Sequence, residues 1–281
     1  MPALVEIEVL RRDLEREIVG RRIKDVDVTS ARNAMKVIPR HGRRKEFQAL
    51  LEQAKFEKVD RAGKRLLLNL DNGNVMVIDL GETGQLTKTS ASGSVETHTH
   101  IVLTFTIGGQ LRLVDPKPTS EVFVGSEDEI AKLGYTSIEG IDPLEQQVTW
   151  HHFSTMLEER QQPMKDLLMD EKFIVGLGHL YSDEILWSAA LRFDRVSDKL
   201  SSQDVRRLYR ALIETLQEAL KARGTSVGSH GFTDLAGTPG LYQLELKVFE
   251  REGEACKRCR HEITKEPYRD GFTYFCPQCQ S

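Results

Sequence analysis

Phe173-Ile174-Val175-Gly176-Leu177-Gly178-His179-Leu180-Tyr181-Ser182-Asp183-Glu184-Ile185-Leu186-Trp187 is the stretch from which the rest of the chain is read. An apolar run ends at two glycines, and a polar turn then opens a helix with Tyr181, Ile185 and Ala189 on one face. A Gly-rich turn ahead of a helix lets backbone N–H groups and the positive helix end approach an anion. The same glycines serve equally well in a tight turn that needs φ > 0, so this stretch alone leaves both readings open.

Working outward, the 281 residues are enough for roughly two domains with cores of their own. A hydrophobic content of 39% and a charged content of 29% fit a soluble globular protein. No apolar run approaches the ~18 residues of a membrane span. The first residues, Met1-Pro2-Ala3-Leu4, carry no signal-peptide pattern. Net charge is −4, which argues weakly against nucleic acid, but the charge is uneven. Residues 1–70 hold 17 Lys and Arg against 11 Asp and Glu, while residues 71–130 hold 3 against 9. Phosphate binding needs a basic face, not a basic average. The run from Arg40 to Lys45 reads as readily as a solvated charge cluster.

Local patterns predict the elements. Ile7, Leu10, Leu14 and Ile18 recur at helical spacing up to Gly20. Leu66–Leu70, the turn Asp71–Asn74 and Val75–Leu80 read as a hairpin around Asn72-Gly73; Ile101–Thr106, Gly108-Gly109 and Leu111–Val114 read as another. Past Asp142-Pro143 the pattern turns helical. Ser201 and Asp204 offer a capping box ahead of the stripe Val205, Leu208, Leu212, Leu216, Leu220, closed by Gly224. The fold class is α+β and multidomain. A helix on an antiparallel β-sandwich is expected over 1–137, a helical domain over 138–240, and a metal-stapled tail over 241–281.

The tail carries the most specific chemistry. All four cysteines lie in the last 26 residues, as Cys256-x2-Cys259 and Cys276-x2-Cys279. That is four-thiolate zinc-ribbon spacing, and the segment between the pairs can form a β-hairpin. A redox-active pair is the competing reading, though two pairs at this spacing favour one structural Zn ion. So short a tail cannot build a self-sufficient core, so the metal would supply folding energy. Clustered cysteines also indicate a reducing compartment, the cytoplasm.

Four blocks, in order and spanning nearly the whole chain, resemble the formamidopyrimidine-DNA glycosylase and endonuclease VIII family of base-excision repair enzymes. Met1-Pro2-Ala3-Leu4-Val5-Glu6-Ile7-Glu8 resembles the family's start, M-P-E-L-P-E-V-E. Lys165–Asp170 with Val175–Glu184 resembles its helix–two-turns–helix motif. Gly240–Phe249 with Arg251–Cys256 resembles the approach to its zinc finger, and Phe275–Gln280 its ending. The resemblance implies damaged or abasic DNA as partner, a monomer, and a nucleoid-associated location.

It also implies site roles. The nucleophile is the α-amine of Pro2, exposed when Met1 is removed. With an ordinary pKa near ~8, such an amine is partly unprotonated at neutral pH and can form an iminium with C1′ of the damaged nucleoside. Glu6 matches an acidic residue near the nucleophile that helps move protons and can stand in for the lost acid, and Lys64 the β-hairpin lysine that meets phosphate or assists proton transfer. His98, Lys117, Arg160, Lys165 and His179 match positions that contact DNA. Other positions depart from the pattern. The family's general acid directly after the proline is Ala3 here, and its zinc-finger arginine falls on Gly271, with Arg269 as the nearby substitute. The void-filling G-M-S-G turn is Gly81-Glu82-Thr83-Gly84, and the wedge D-P-R-R-F-G is Asp115-Pro116-Lys117-Pro118-Thr119-Ser120. Glu82 would be desolvated against bases and close to phosphates, both unfavourable.

Two functions are therefore open. One is a bifunctional glycosylase and abasic-site lyase using Pro2 and Lys64, with base excision weakened by Ala3 and a single-stranded or open substrate preferred. The other is a catalytically idle relative that binds DNA or another partner.

Overall fold

The computed structural model describes residues 2–29, 34–145, 148–228 and 231–281. By contacts the chain divides into two compact units, Met1–Ser137 with Arg223–Gly240, and Ile138–Ala222 with Leu241–Ser281. This departs from the three-part division expected from sequence. Residues 223–240 cluster with the sheets, and the cysteine tail clusters with the helices.

In the first unit, helix α1 (Leu4–Ile18) buries the predicted stripe Ile7, Leu10, Leu14 and Ile18, and Leu4 with it. Gly20 follows with φ +82°, the left-handed turn that ends such a helix. Strands β1 (Ile23–Val28), β2 (Phe56–Ala62), β3 (Arg65–Leu70), β4 (Asn74–Asp79), β5 (Gln85–Thr89), β6 (Thr99–Phe105), β7 (Gln110–Val114) and β8 (Glu121–Ser126) build two four-stranded antiparallel sheets. Their orders are β1-β6-β7-β5 and β2-β3-β4-β8. Both predicted hairpins are present, β3–β4 and β6–β7. Phe56 of one sheet meets Phe105 of the other with ring centroids 6.3 Å apart. Helices α2 (Arg44–Leu51) and α3 (Glu127–Lys132) complete this unit. The Arg40–Lys45 run is not wholly solvated: it leads into α2, His41 is buried, and Arg40 pairs with Glu121 at 3.0 Å.

The second unit holds α4 (Trp150–Glu158), α5 (Met164–Met169), α6 (Gly178–Ala189), α7 (Ser202–Lys221) and a hairpin of β9 (Thr264–Tyr268) and β10 (Gly271–Phe275). The predicted capping box is formed, with Asp204 N donating to Ser201 Oγ at 3.2 Å and Ser201 N to Asp204 Oδ2 at 3.0 Å. α6 differs from its sequence reading. It is buried on nearly every side, Ser182, Asp183 and Glu184 included. A helix buried all round must satisfy its polar side chains internally. Asp183 accepts from Lys165 Nζ (2.6 Å), Thr273 Oγ1 (2.7 Å) and Tyr274 N (3.0 Å). Glu184 accepts the N–H groups of Lys247, Val248 and Phe249 at 2.9–3.0 Å. Two buried carboxylates thus tie the tail to α6.

No described helix is long and apolar enough to cross a membrane.

Candidate catalytic and nucleic-acid-binding site

Pro2 immediately precedes Ala3, the N-cap of α1, whose extended backbone (φ −90°, ψ −178°) ends the helix. Alanine has no side-chain acceptor for the first-turn N–H groups, so only half of a capping box survives: Ala3 N donates to Glu6 Oε2 at 3.0 Å. Glu6 is buried, and its other oxygen accepts Thr225 N at 2.8 Å. Lys64, half-buried, stands in the tight turn between β2 and β3. That turn is tied to α1, because Arg61 donates to Gly63 O at 2.9 Å and to Glu8 Oε2 at 3.1 Å. The structure therefore anchors the helix that carries Pro2 and the turn that carries Lys64 to one another.

The two altered loops are joined by a residue that sequence reasoning passed over. Asp115 is fully buried and accepts from the N–H groups of Lys117 (3.2 Å), Thr119 (2.7 Å) and Ser120 (2.7 Å), and from the hydroxyls of Thr83 and Ser120. Burial pushes its carboxyl up, but these donors outweigh it and hold it below the usual carboxylate range. Glu82 N donates to Thr119 Oγ1 at 2.9 Å, and Asp115 N to His98 O at 3.0 Å. Gly81 (φ +55°) admits no side chain, since an added Cβ would lie 2.4 Å from Thr119 O. The result is one composite tip with His98 exposed and Lys117 set 3.5 Å from Glu82, both about 60% exposed. So exposed a pair is worth ~0–1 kcal/mol, so the buried Asp115 network, not this ion pair, shapes the tip. The hydroxyl residues after Asp115-Pro116 were the available signal, because Asp readily accepts from backbone N–H groups a few residues on.

In the second unit, His179 lies in the first turn of α6, half-buried, with Nε2 3.3 Å from Asp270 Oδ1. Gly271 leaves room for it: an added Cβ there would come within 3.2 Å of the imidazole. Arg269, in the left-handed region at φ +51°, holds Asp166 at 2.6 Å, and Tyr268 donates to the same oxygen at 2.6 Å. The Arg269 guanidinium, then the tyrosine, holds the Asp166 carboxyl below its usual range against burial. His179 and Arg269 thus flank the β9–β10 turn together. Arg160, half-buried at the end of α4, uses its backbone carbonyl to accept from Ser197 Oγ at 2.7 Å.

Lys165 is a correction. It is fully buried, its ammonium donating to Asp183 and, at 3.2 Å, to Phe272 O. An interior ammonium cannot contact a phosphate at the surface. Burial lowers the Lys165 pKa and raises that of Asp183 to about 6, so the pair is a structural bond bought against desolvation. Lys165→Met is expected to destabilise the protein by ~3–5 kcal/mol, because Asp183 is left buried and unpaired. Adding Asp183→Asn should recover part of that loss. Thermal unfolding of the single and double variants checks this, and equal unfolding temperatures for Lys165→Met and wild type would refute it.

The four cysteine sulfurs lie within 4.8 Å of one another. Cys256 and Cys279 are 3.9 Å apart, Cys259 and Cys276 3.5 Å, and all four are free thiols. The group fits a tetrahedral soft-metal site. Burial pushes the Cys256 thiol up, but the N–H groups of Cys259 and Arg258 and the Trp187 indole bring it down, whereas burial and the neighbouring sulfurs push Cys276 and Cys279 up, so it is a bound cation that would draw all four to the thiolate. Trp187, Val248, Ile263 and Tyr274 pack around the cluster.

Residues 1–122 match the formamidopyrimidine-DNA glycosylase N-terminal domain, and residues 140–230 match the formamidopyrimidine-DNA glycosylase H2TH domain. A formamidopyrimidine-DNA glycosylase of Pelotomaculum thermopropionicum is 35% identical, with 100% of this chain and 99% of that protein covered. One of Heliobacterium modesticaldum is 34% identical over 100% of both. Among solved structures, the Lactococcus lactis Fpg in complex with abasic-site DNA superposes with a TM-score of 0.88 at 27% identity, covering 100% of both chains. The MutM (Fpg) protein of Thermus thermophilus gives 0.84 at 30%, covering 99% of this chain and 98% of that one. The chain belongs to the formamidopyrimidine-DNA glycosylase family.

Proposed function

We propose that this chain is a DNA base-excision repair enzyme, a bifunctional glycosylase and abasic-site lyase acting through Pro2, with its base-excision step weakened. The observation that carries this is the placement of Pro2 directly ahead of the first turn of α1, its backbone neighbour held by Glu6, in a chain that matches the family from end to end. Freed of Met1, the secondary amine of Pro2 attacks C1′ of an abasic aldehyde and, with loss of water, forms an iminium. Loss of a C2′ proton then expels the 3′-phosphate, so the strand is cut. Lys64 meets the phosphate or moves the proton. Glu6 holds the backbone beside the nucleophile. Excising an intact base further requires proton delivery to the sugar or the base, and the Ala3 methyl cannot provide it.

DNA is the partner, as it is of the Lactococcus lactis relative. His98, Lys117, Arg160, His179 and Arg269 supply the phosphate contacts. The Glu82–Lys117 tip suits a single-stranded, abasic or open substrate, in which no opposite base has to be displaced. Cys256, Cys259, Cys276 and Cys279 hold one zinc ion, whose chemistry is structural: four thiolates leave no open position.

Borohydride trapping on an abasic oligonucleotide is expected to give a covalent adduct at Pro2. Its absence would leave the DNA-binding but idle reading. Affinity should fall as salt rises, and removing Arg160 or Arg269 should each lower the log–log slope by ~1, alike for all sequences, while removing the neutral His179 should weaken binding with the slope kept. Unchanged affinity and slope in all three variants would remove these residues from the interface.

A further inference from the structure

Glu6 is tied to a segment more than two hundred residues away. Its Oε2 accepts Ala3 N at 3.0 Å and its Oε1 accepts Thr225 N at 2.8 Å. Both oxygens of one buried carboxylate are therefore spent on backbone N–H groups, one beside Pro2 and the other in residues 223–240. The far segment is shaped to receive it. Arg223 (φ +60°) and Gly224 (φ +83°) are both left-handed, which turns the Thr225 N–H toward the carboxylate. A Cβ on Gly224 would lie 3.0 Å from Glu6 Oε1 and 3.2 Å from the Phe232 ring. Arg223 pins the same corner, bonding Asp13 of α1 at 2.5 Å and Asp234 at 2.7 Å. Asp234 in turn accepts the N–H groups of Ala236 (3.0 Å) and Thr238 (2.9 Å). Further along, Lys88 N donates to Leu235 O at 2.8 Å.

We infer that Glu6 is a positioning residue that couples the Pro2 backbone to residues 224–225, so that the nucleophile is in register only when that segment is seated against α1. Glutamine is a poor replacement. Its single carbonyl oxygen serves one of the two N–H groups and sets an amide donor against the other. A displacement of this kind at a nucleophile is felt in the chemical step more than in binding.

The inference rests on Pro2 being the nucleophile, so its test carries a readout that does not need activity. Glu6→Gln should slow borohydride trapping on abasic DNA by about 10- to 100-fold, with DNA affinity changed less than about threefold and the shape of the pH profile kept. Gly224→Ala alters no ionisable group but strains the left-handed corner and presses on Oε1. It should slow trapping similarly, and the double variant should be no worse than the single ones. Amide hydrogen exchange, measured on the same full-length proteins, should quicken in peptides covering residues 3 and 224–228 in both variants. Loss of a limb of the pH profile in Glu6→Gln, or wild-type trapping in Gly224→Ala, means that Glu6 works through its proton and overturns the inference. Should the wild type itself fail to trap, the nucleophile reading falls, and exchange alone decides: quickened exchange at both peptides upholds the coupling, unchanged exchange overturns it.

Discussion

Glutamate in place of Ala3 is expected to raise excision of an intact oxidised purine by ~10²–10⁴-fold, the usual range for a positioned general acid. Cleavage of DNA that already contains an abasic site should change little. The asymmetry follows from the chemistry. An abasic site presents its aldehyde at C1′, so iminium formation at Pro2 needs no base departure, whereas an intact lesion needs a proton on the sugar or the base first. Position 3 is also the N-cap of α1, so a stability control is required. Ala3→Ser restores a side-chain acceptor for the first-turn N–H groups and should stabilise the protein by ~0.5–2 kcal/mol without restoring excision. Single-turnover excision and abasic-site cleavage, measured in parallel on wild type, Ala3→Glu and Ala3→Ser, separate the two effects. Leaving Met1 attached should abolish both activities by blocking the amine. If wild type excises the base as fast as Ala3→Glu, another group supplies the proton and the weakened-glycosylase reading is wrong.

Serine at Cys276 should remove bound zinc, from about one equivalent to near none, and unfold the tail. Zinc sites of this type hold their metal with ~10–16 kcal/mol of apparent free energy, far more than two five-residue strands can supply by packing. The damage should not stop at the metal. β10 contributes Thr273 and Tyr274 to Asp183, and residues 247–249 supply the three N–H groups that satisfy Glu184. Burial already pushes both carboxyls above their ordinary range, and unfolding the tail strips them of partners. α6, with His179 in its first turn, should therefore loosen as well. DNA affinity should fall while the first unit keeps its sheets. Metal analysis, near-ultraviolet circular dichroism and a DNA titration report the three effects. Full zinc content with unchanged affinity in Cys276→Ser would rule out a four-cysteine structural site.

Local pattern alone was enough to read α1, α7, the two hairpins and the thiolate cluster. Each depends on neighbours in sequence: a helical stripe, an Asn-Gly turn, a Ser–Asp capping box, two C-x-x-C pairs. The family was legible for the same reason, in four blocks of consecutive residues. Which polar residues point inward was not legible, because that depends on partners far along the chain. Lys165 has the composition of a surface phosphate contact but meets Asp183 and the Phe272 carbonyl in the interior. Nothing around Asp183 and Glu184 marks them as buried, because Glu184 accepts from Lys247, 63 residues on, and Asp183 from Tyr274, 91 residues on. Thr83 and Asp115 join two loops 32 residues apart into one tip. Glu6 meets Thr225 across 219 residues, and with it residues 223–240 leave the helical unit for the sheets. A polar group is buried only where tertiary structure brings its hydrogen-bond partners to it, and no periodicity in the chain records where those partners are.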